Sequence, residues 1–101
     1  MDTDELSEQA YRAVILESEK FNQDLTLQFG LLSYSCKNEK EYLAKAKELI
    51  AEIRGMDKHD LSDLFFGSLP NRQTLFLTLN KILNNISAVE KIPENKRDYR
   101  N

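Results

Sequence analysis

His59 is the chain's single histidine, and it opens the run His59-Asp60-Leu61-Ser62-Asp63, which holds every residue type of a nucleophilic triad. A triad needs its three groups to converge from different directions, which neighbours on one short turn cannot do. Asp57, Asp60 and Asp63 recur every third residue and share a helix face. A calcium loop needs alternating acids, a glycine at the sixth position and a glutamate at the twelfth, and this segment has none of that pattern. Glu17, Glu19 and Asp24 read as a solvated face rather than as paired catalytic carboxylates. Cys36 is the only cysteine, which excludes an internal disulfide and a cysteine-based metal cluster; it reads as a half-buried thiol at a helix end. The glycines stand alone at 30, 55 and 67, so no phosphate-cradling loop is present. Asn85-Ile86-Ser87 matches a glycosylation acceptor but falls inside a helical pattern. No catalytic residue, metal ligand or cofactor site is therefore expected.

Charge points the same way. The net charge is −3 and the isoelectric point about 5.2, which argues against non-specific nucleic-acid binding. The distribution is uneven, with a net of −5 over residues 1–24 and +3 over residues 72–101. Lys91, Lys96, Arg97, Tyr99 and Arg100 offer contacts to a phosphate backbone, but Glu90, Glu94 and Asp98 interleave with them and weaken the field that counterion release requires. A DNA-reading helix would have to start at Asn71, Arg72, Gln73 and Thr74, after an acidic rather than basic turn. The acidic, polar start MDTDELSEQ is unlike a secretion signal, and no apolar run is long enough to span a bilayer. A cytoplasmic location is the expectation.

The elements that would position these residues are helices. At 101 residues, 41% apolar and 31% charged, the chain reads as one folded domain. Residues 5–36 contain no proline, and Ala10, Val14, Phe21, Leu25, Phe29, Leu32 and Cys36 fall on one stripe at helical spacing. Asp2 or Asp4 would cap this helix, which at about 1.5 Å per residue would span roughly 48 Å. The polar stretch Glu17 to Asp24 interrupts the stripe, so the helix either runs through with a thinly buried middle or bends there. Gly30 is either a tolerated defect or the site of a close helix crossing. Tyr11, Ile15, Leu27, Leu31 and Tyr34 form a second apolar set off the main stripe, which calls for more than one neighbour.

Asn38 and Glu41 bracket a capping box that opens a second helix, with Tyr42, Leu43, Ala46, Leu49, Ile50 and Ile53 inward and Gly55 as a left-handed stop. Asp57 or Asp60 caps a short third helix with Leu61, Leu64 and Phe65 inward and Gly67 as its end, leaving Phe66 off that face. Pro70 precedes a last helix over about 71–91, with Leu75, Phe76, Leu79, Ile82, Leu83, Ile86 and Val89 on one face and Leu77 outside it. Pro93 stops it.

The expectation is an all-α protein, a three- to four-helix antiparallel (up-down) bundle with a long first helix. Residues 1–92 form the domain, and residues 93–101 form a charged, flexible tail with too little apolar material to pack. A second helix half as long as the first must leave the first helix's N-terminal half to the last helix, to the 61–66 segment or to another molecule. Tyr11, Ile15, Phe66 and Leu77 are accordingly the candidate interface residues. The termini meet within one molecule if the short segment counts as a full bundle member, and only between molecules if it merely turns the chain. The function that follows is a small protein–protein interaction module, an adaptor, regulator or assembly subunit that binds a protein partner or itself, with no membrane role. The alternative is a nucleic-acid-associated regulator using the basic C-terminal segment.

Overall fold

Asn22 sets the architecture. The computed structural model of the chain describes residues 5–66 and 70–99, and in it Asn22 is extended (φ −166°, ψ 135°) between two helices. The first, α1, covers residues 8–21 and is built from Glu8–Tyr11, a π-helical Arg12–Leu16 and Glu17–Phe21. The second, α2, is Gln23–Tyr34. The single long helix expected over residues 5–36 is thus two shorter ones. Asn22 closes α1 by donating its backbone N–H to the Ser18 carbonyl (2.8 Å), and opens α2 by accepting the Asp24 N–H on its side chain (2.7 Å). One residue satisfies orphan groups on both sides of the break.

Three further helices follow: α3 (Glu39–Arg54), α4 (Lys58–Leu64) and α5 (Arg72–Glu90), with a short 3₁₀ turn at Glu94–Lys96. Among the described residues there is no strand, only an isolated antiparallel bridge between Ser7 and Tyr99. α1 packs on α2 and α5, and α3 packs on α2 and α5. Named contacts fix the directions. Glu17 on α1 faces Lys81 on α5 (3.5 Å), while Ser7 and Gln9 meet Tyr99 and Asp98 beyond the end of α5, so α1 and α5 are antiparallel. Lys47 bonds Glu90 (2.9 Å) and Arg54 lies over the Phe76 ring, so α3 and α5 are antiparallel too. Ser7 sits against Glu39, placing the start of α1 beside the start of α3. The chain therefore doubles back at Asn22, and α2 descends along α1. The N-terminal half of the expected long helix is covered by the last helix, the first of the three covers its length allowed. Residues 7–9 and 98–99 meet within one molecule because the chain folds back at Asn22.

The core explains why the apolar stripe misled about length. Ala10, Val14, Leu25, Phe29 and Cys36 are all buried, as their spacing predicts, but α1 and α2 present them to one interior from two sides. The π-helical turn widens the buried arc of α1, so that Ala13, Val14 and Ile15 are buried consecutively. Ser18, also buried, donates its hydroxyl to the Ile15 carbonyl (2.9 Å). From α3 come Tyr42, Leu43, Ala46, Ile50 and Ile53; Leu61 and Phe65 close the end; α5 adds Leu75, Leu79, Ile82, Ile86 and Val89.

Caps follow sequence closely outside α1. Asn38 accepts the Glu41 N–H (2.8 Å) while Glu41 reaches back to the Lys37 N–H (3.1 Å). Asp57 and Asn71 cap α4 and α5 through the N–H groups of Asp60 and Thr74. Asp2 and Asp4, expected to cap the first helix, lie outside the described residues; the cap is Ser7, which accepts the Ala10 N–H (3.1 Å). Gly55 ends α3 without the expected left-handed turn, at φ −90° and ψ −3°, because the chain tightens through Met56 N–H to Ile53 carbonyl instead. The left-handed residue at the end of α4 is Phe66 (φ 51°), and Gly67, the expected stop, lies outside the described residues.

Candidate functional site

Once α1, α3 and α5 are assembled, α2 retains an apolar side that nothing in the described chain covers. A helix that buries Leu25, Phe29 and Ser33 turns Leu27, Gly30, Leu31 and Tyr34 the opposite way, at steps of three and four residues. Leu27 is 46% exposed, Leu31 56% and Tyr34 68%. Gly30 lies between them with open space where a Cβ would stand, nothing being within 4 Å. Its carbonyl accepts the buried Ser33 hydroxyl (2.6 Å). The face has no charge of its own. Asp24 borders its N-terminal end, and α2 stops at Tyr34, with exposed Lys37 in the connection beyond, beside Glu5 and Tyr99.

The four candidate interface residues part company. Ile15 is 5% exposed and half-buried Tyr11 packs against the core, both on the side of α1 that meets its neighbours. That burial takes Ile15 out of a partner's reach. Phe66 (71%) and Leu77 (63%) are exposed as expected, Phe66 in a left-handed backbone that bulky residues rarely adopt and Leu77 on the α5 side away from its core stripe. The second apolar set named in the sequence held the open face all along: its α1 members became core, and its α2 members remained outside.

A second cluster, missed by sequence reasoning, fastens residues 97–99 to the start of α1 and to Glu39. Glu39 in the first turn of α3 and Arg97 beyond α5 form an ion pair (2.6 Å) with only 4% and 5% of their side chains exposed. The Glu39 carboxylate also accepts the Ser7 backbone N–H (2.7 Å) and the Tyr99 hydroxyl (3.2 Å), and Arg97 Nε donates to the Ile92 carbonyl (3.1 Å). Glu8 N–H donates to the Asp98 carbonyl (2.7 Å), and the Gln9 amide brackets Asp98. Residues 97–99 are thus held by polar bonds, which a count of apolar residues does not register. Burial pulls the Arg97 pKa down, but the Glu39 carboxylate outweighs it and the net direction is up. Burial and then the Glu39 charge push the Tyr99 phenol up.

The residues with chemical potential do not converge. His59 is exposed, with Nδ1 3.5 Å from Asp63 and 3.9 Å from Asp60, and Ser62 brings no base to it. Glu17 is shared between Lys20 and Lys81. Cys36 is buried, donates to the Leu32 carbonyl (3.3 Å) and has its thiol pKa raised chiefly by that burial, opposite to an activated thiolate. No group of three or more His, Cys, Asp or Glu among the described residues is placed to hold a metal ion. An open groove of about 450 Å³ between α1 and α5 has an aliphatic floor of Ala13, Leu16, Ala88 and Ile92 rimmed by Arg12, Glu17 and Lys20, without a nucleophile–base pair. Of the helix-start residues that could meet DNA, Asn71 is a cap and Arg72 donates to the Met56 carbonyl (2.9 Å) and stacks on Phe76. No helix among the described residues is long and apolar enough to cross a membrane. The chain matches no protein-family model, no curated protein and no solved structure.

Proposed function

We propose that this chain is a four-helix antiparallel (up-down) bundle that works as a protein–protein interaction module, docking a partner on the open face of α2 rather than catalysing a reaction. The carrying observation is the uncharged stripe of Leu27, Leu31 and Tyr34, roughly half or more exposed and centred on a glycine with free space above it. Isolated exposed leucines need no explanation, but three large apolar groups in helical register on one face mark a docking surface. Fully burying one such side chain contributes about 1.5–3 kcal/mol, and these three have roughly half that left to gain, so covering them yields roughly 2–4 kcal/mol before association costs. That suits a modest, reversible contact. The nucleic-acid reading draws less support, since Arg97 is occupied by Glu39 and three acids lie among the remaining bases.

A benzophenone amino acid placed at position 31, with a control at exposed Glu48 on α3, tests the reading by photo-crosslinking in cells expressing the chain. Discrete protein adducts from position 31 and none from position 48 are expected. No adduct at 31, or the same pattern from both positions, would overturn it.

A further inference from the structure

We propose that residues 97–99 occupy a binding site rather than complete the core. The recess at Glu39 takes an extended segment with an arginine and, two residues on, a tyrosine; the chain's own segment fills it and lets go while α1 to α5 stay folded. None of residues 93–99 belongs to the apolar core, and among their side chains Arg97 is the buried one. Each helix end they touch is closed without them. α5 ends through the Lys91 and Ile92 N–H groups, which donate to the Ala88 and Val89 carbonyls, and Pro93 has no N–H to carry the ladder further. Ser7 caps α1 through the Ala10 N–H, and Asn38 caps α3 through the Glu41 N–H. Residues 93–97 make a turn of their own, in which the Lys96 N–H donates to the Pro93 carbonyl (2.8 Å) and the Arg97 N–H to the Glu94 carbonyl (3.3 Å). A segment without buried apolar contacts opens locally, at a smaller cost than the whole fold.

The present occupant shows what the recess recognises. Ser7 bridges antiparallel to Tyr99, and the Glu8 N–H donates to the Asp98 carbonyl (2.7 Å). The Gln9 side chain accepts the Asp98 N–H (3.0 Å), so the shorter bonds to position 98 go to its main chain and its identity matters least. Arg97 is what the site selects. Its Nη1 donates to Glu39 (2.6 Å) while its Nε donates to the Ile92 carbonyl (3.1 Å), two fixed and divergent donors that a lysine ammonium does not reproduce. The Tyr99 hydroxyl adds a second bond to the same carboxylate oxygen (3.2 Å). The Ser7 N–H holds the other carboxylate oxygen and stays with the bundle when the segment leaves. Cavities of about 440 and 160 Å³ flank the pair, the first lined by Glu39 with Glu5 and Lys37, the second by Arg97 with Leu43 and Glu90. A departing guanidinium therefore leaves the carboxylate beside space that solvent can enter.

Hydrogen exchange on the wild-type chain, followed by NMR in water and in low urea, tests the release. The Glu8 amide and the Arg97 Nε–H, each corrected for its intrinsic rate, should report one opening constant. It should be at least about tenfold larger than that of the Ile50 and Ile82 amides and insensitive to urea, while the Ser7 amide stays protected. Arg97→Met should raise the opening seen at Glu8 about a hundredfold. Titration calorimetry with a synthetic peptide of residues 92–99 tests the recognition, on chains first checked for helicity by circular dichroism. The wild type should bind it only near ~1 mM, the effective concentration of its own tethered segment, and Arg97→Met about a hundredfold more tightly. Tyr99→Phe, which removes one hydrogen bond from the segment, is a second host in case Arg97→Met does not fold, with a gain of about fivefold. The same peptide carrying Arg97→Lys should bind about tenfold more weakly. Glu8 opening only together with Ser7, or with Ile50 and Ile82, overturns the release. Peptide binding no tighter to the two variants than to the wild type, or indifferent to Arg97→Lys, overturns the site.

Discussion

Arg97→Met should be one of the most damaging single changes at the end of the bundle. Arg97 and Glu39 are nearly sealed from solvent, at 5% and 4% side-chain exposure, and lie 2.6 Å apart. Removing the guanidinium leaves a buried carboxylate with two donors, the Ser7 N–H and the Tyr99 hydroxyl, and no countercharge. Breaking a buried pair from one side costs about 3–5 kcal/mol, and the two surviving donors place this case near the lower end. A loss of about 3 kcal/mol is a large share of the 5–15 kcal/mol typical of a domain, and at roughly 4–8 °C per kcal/mol it lowers Tm by about 12–24 °C. Urea titration followed by circular dichroism measures it. Because the cost is the stranded charge rather than the lost bond, the double variant Glu39→Gln with Arg97→Met should regain about 1–2 kcal/mol over Arg97→Met alone. A loss below about 1 kcal/mol for Arg97→Met, the worth of an exposed pair, would refute the account of the buried clasp.

Three other outcomes follow from particular positions. Ile15→Glu puts an unpaired charge into the core between helices and should cost at least about 3 kcal/mol in the same titration; a stable, wild-type-like fold would return Ile15 to the surface. Gly55→Ala should be neutral or stabilise by up to about 1 kcal/mol, since φ is −90° and an added Cβ meets only ordinary contacts at 3.6 and 3.7 Å; clear destabilisation would mean a left-handed cap after all. Burial pushes the Tyr42 phenol well above its ordinary range, so the folded state keeps it protonated where the unfolded chain ionises. Its stabilising contribution is present below about pH 10 and is lost above it, at about 1.4 kcal/mol per pH unit. Tyr42→Phe should therefore flatten the alkaline decline in stability while costing about 1 kcal/mol at neutral pH for the lost bond to the Phe29 carbonyl; an unchanged alkaline slope would contradict this.

Much of the fold was legible from the sequence, and the exceptions are physically instructive. α3 occupies Glu39–Arg54 because a clean apolar stripe lies between an asparagine cap and a glycine, and α5 is as legible because its stripe lies between Pro70 and Pro93. The break at Asn22 is less legible, since the polar stretch from Glu17 to Asp24 permits a bend without fixing one. An apolar stripe reports which face looks inward, and two antiparallel helices around one core keep that face in register across a one-residue corner. The asparagine followed two residues later by an aspartate was the available signal, a cap inside a helical pattern. The buried pair was less legible still. Glu39 reads as one more acid in a helix's first turn, and Arg97 as one more base in a charged segment. Only the doubling-back of α1 and α2 brings Ser7, Glu39 and Tyr99 together. On the open face, Leu27, Leu31 and Tyr34 were visible as an excess of apolar surface, and the corner at Asn22 decided which part of that excess would be buried.

The central claim, that the open side of α2 is where this protein meets a protein, is tested most directly by photo-crosslinking in cells from positions 27, 31 and 34, with Phe66, Leu77 and Glu48 as comparison positions. Discrete protein adducts from the three α2 positions, and none from the comparison positions, are the predicted result. Adducts from Phe66 or Leu77 with all three α2 positions silent would contradict it.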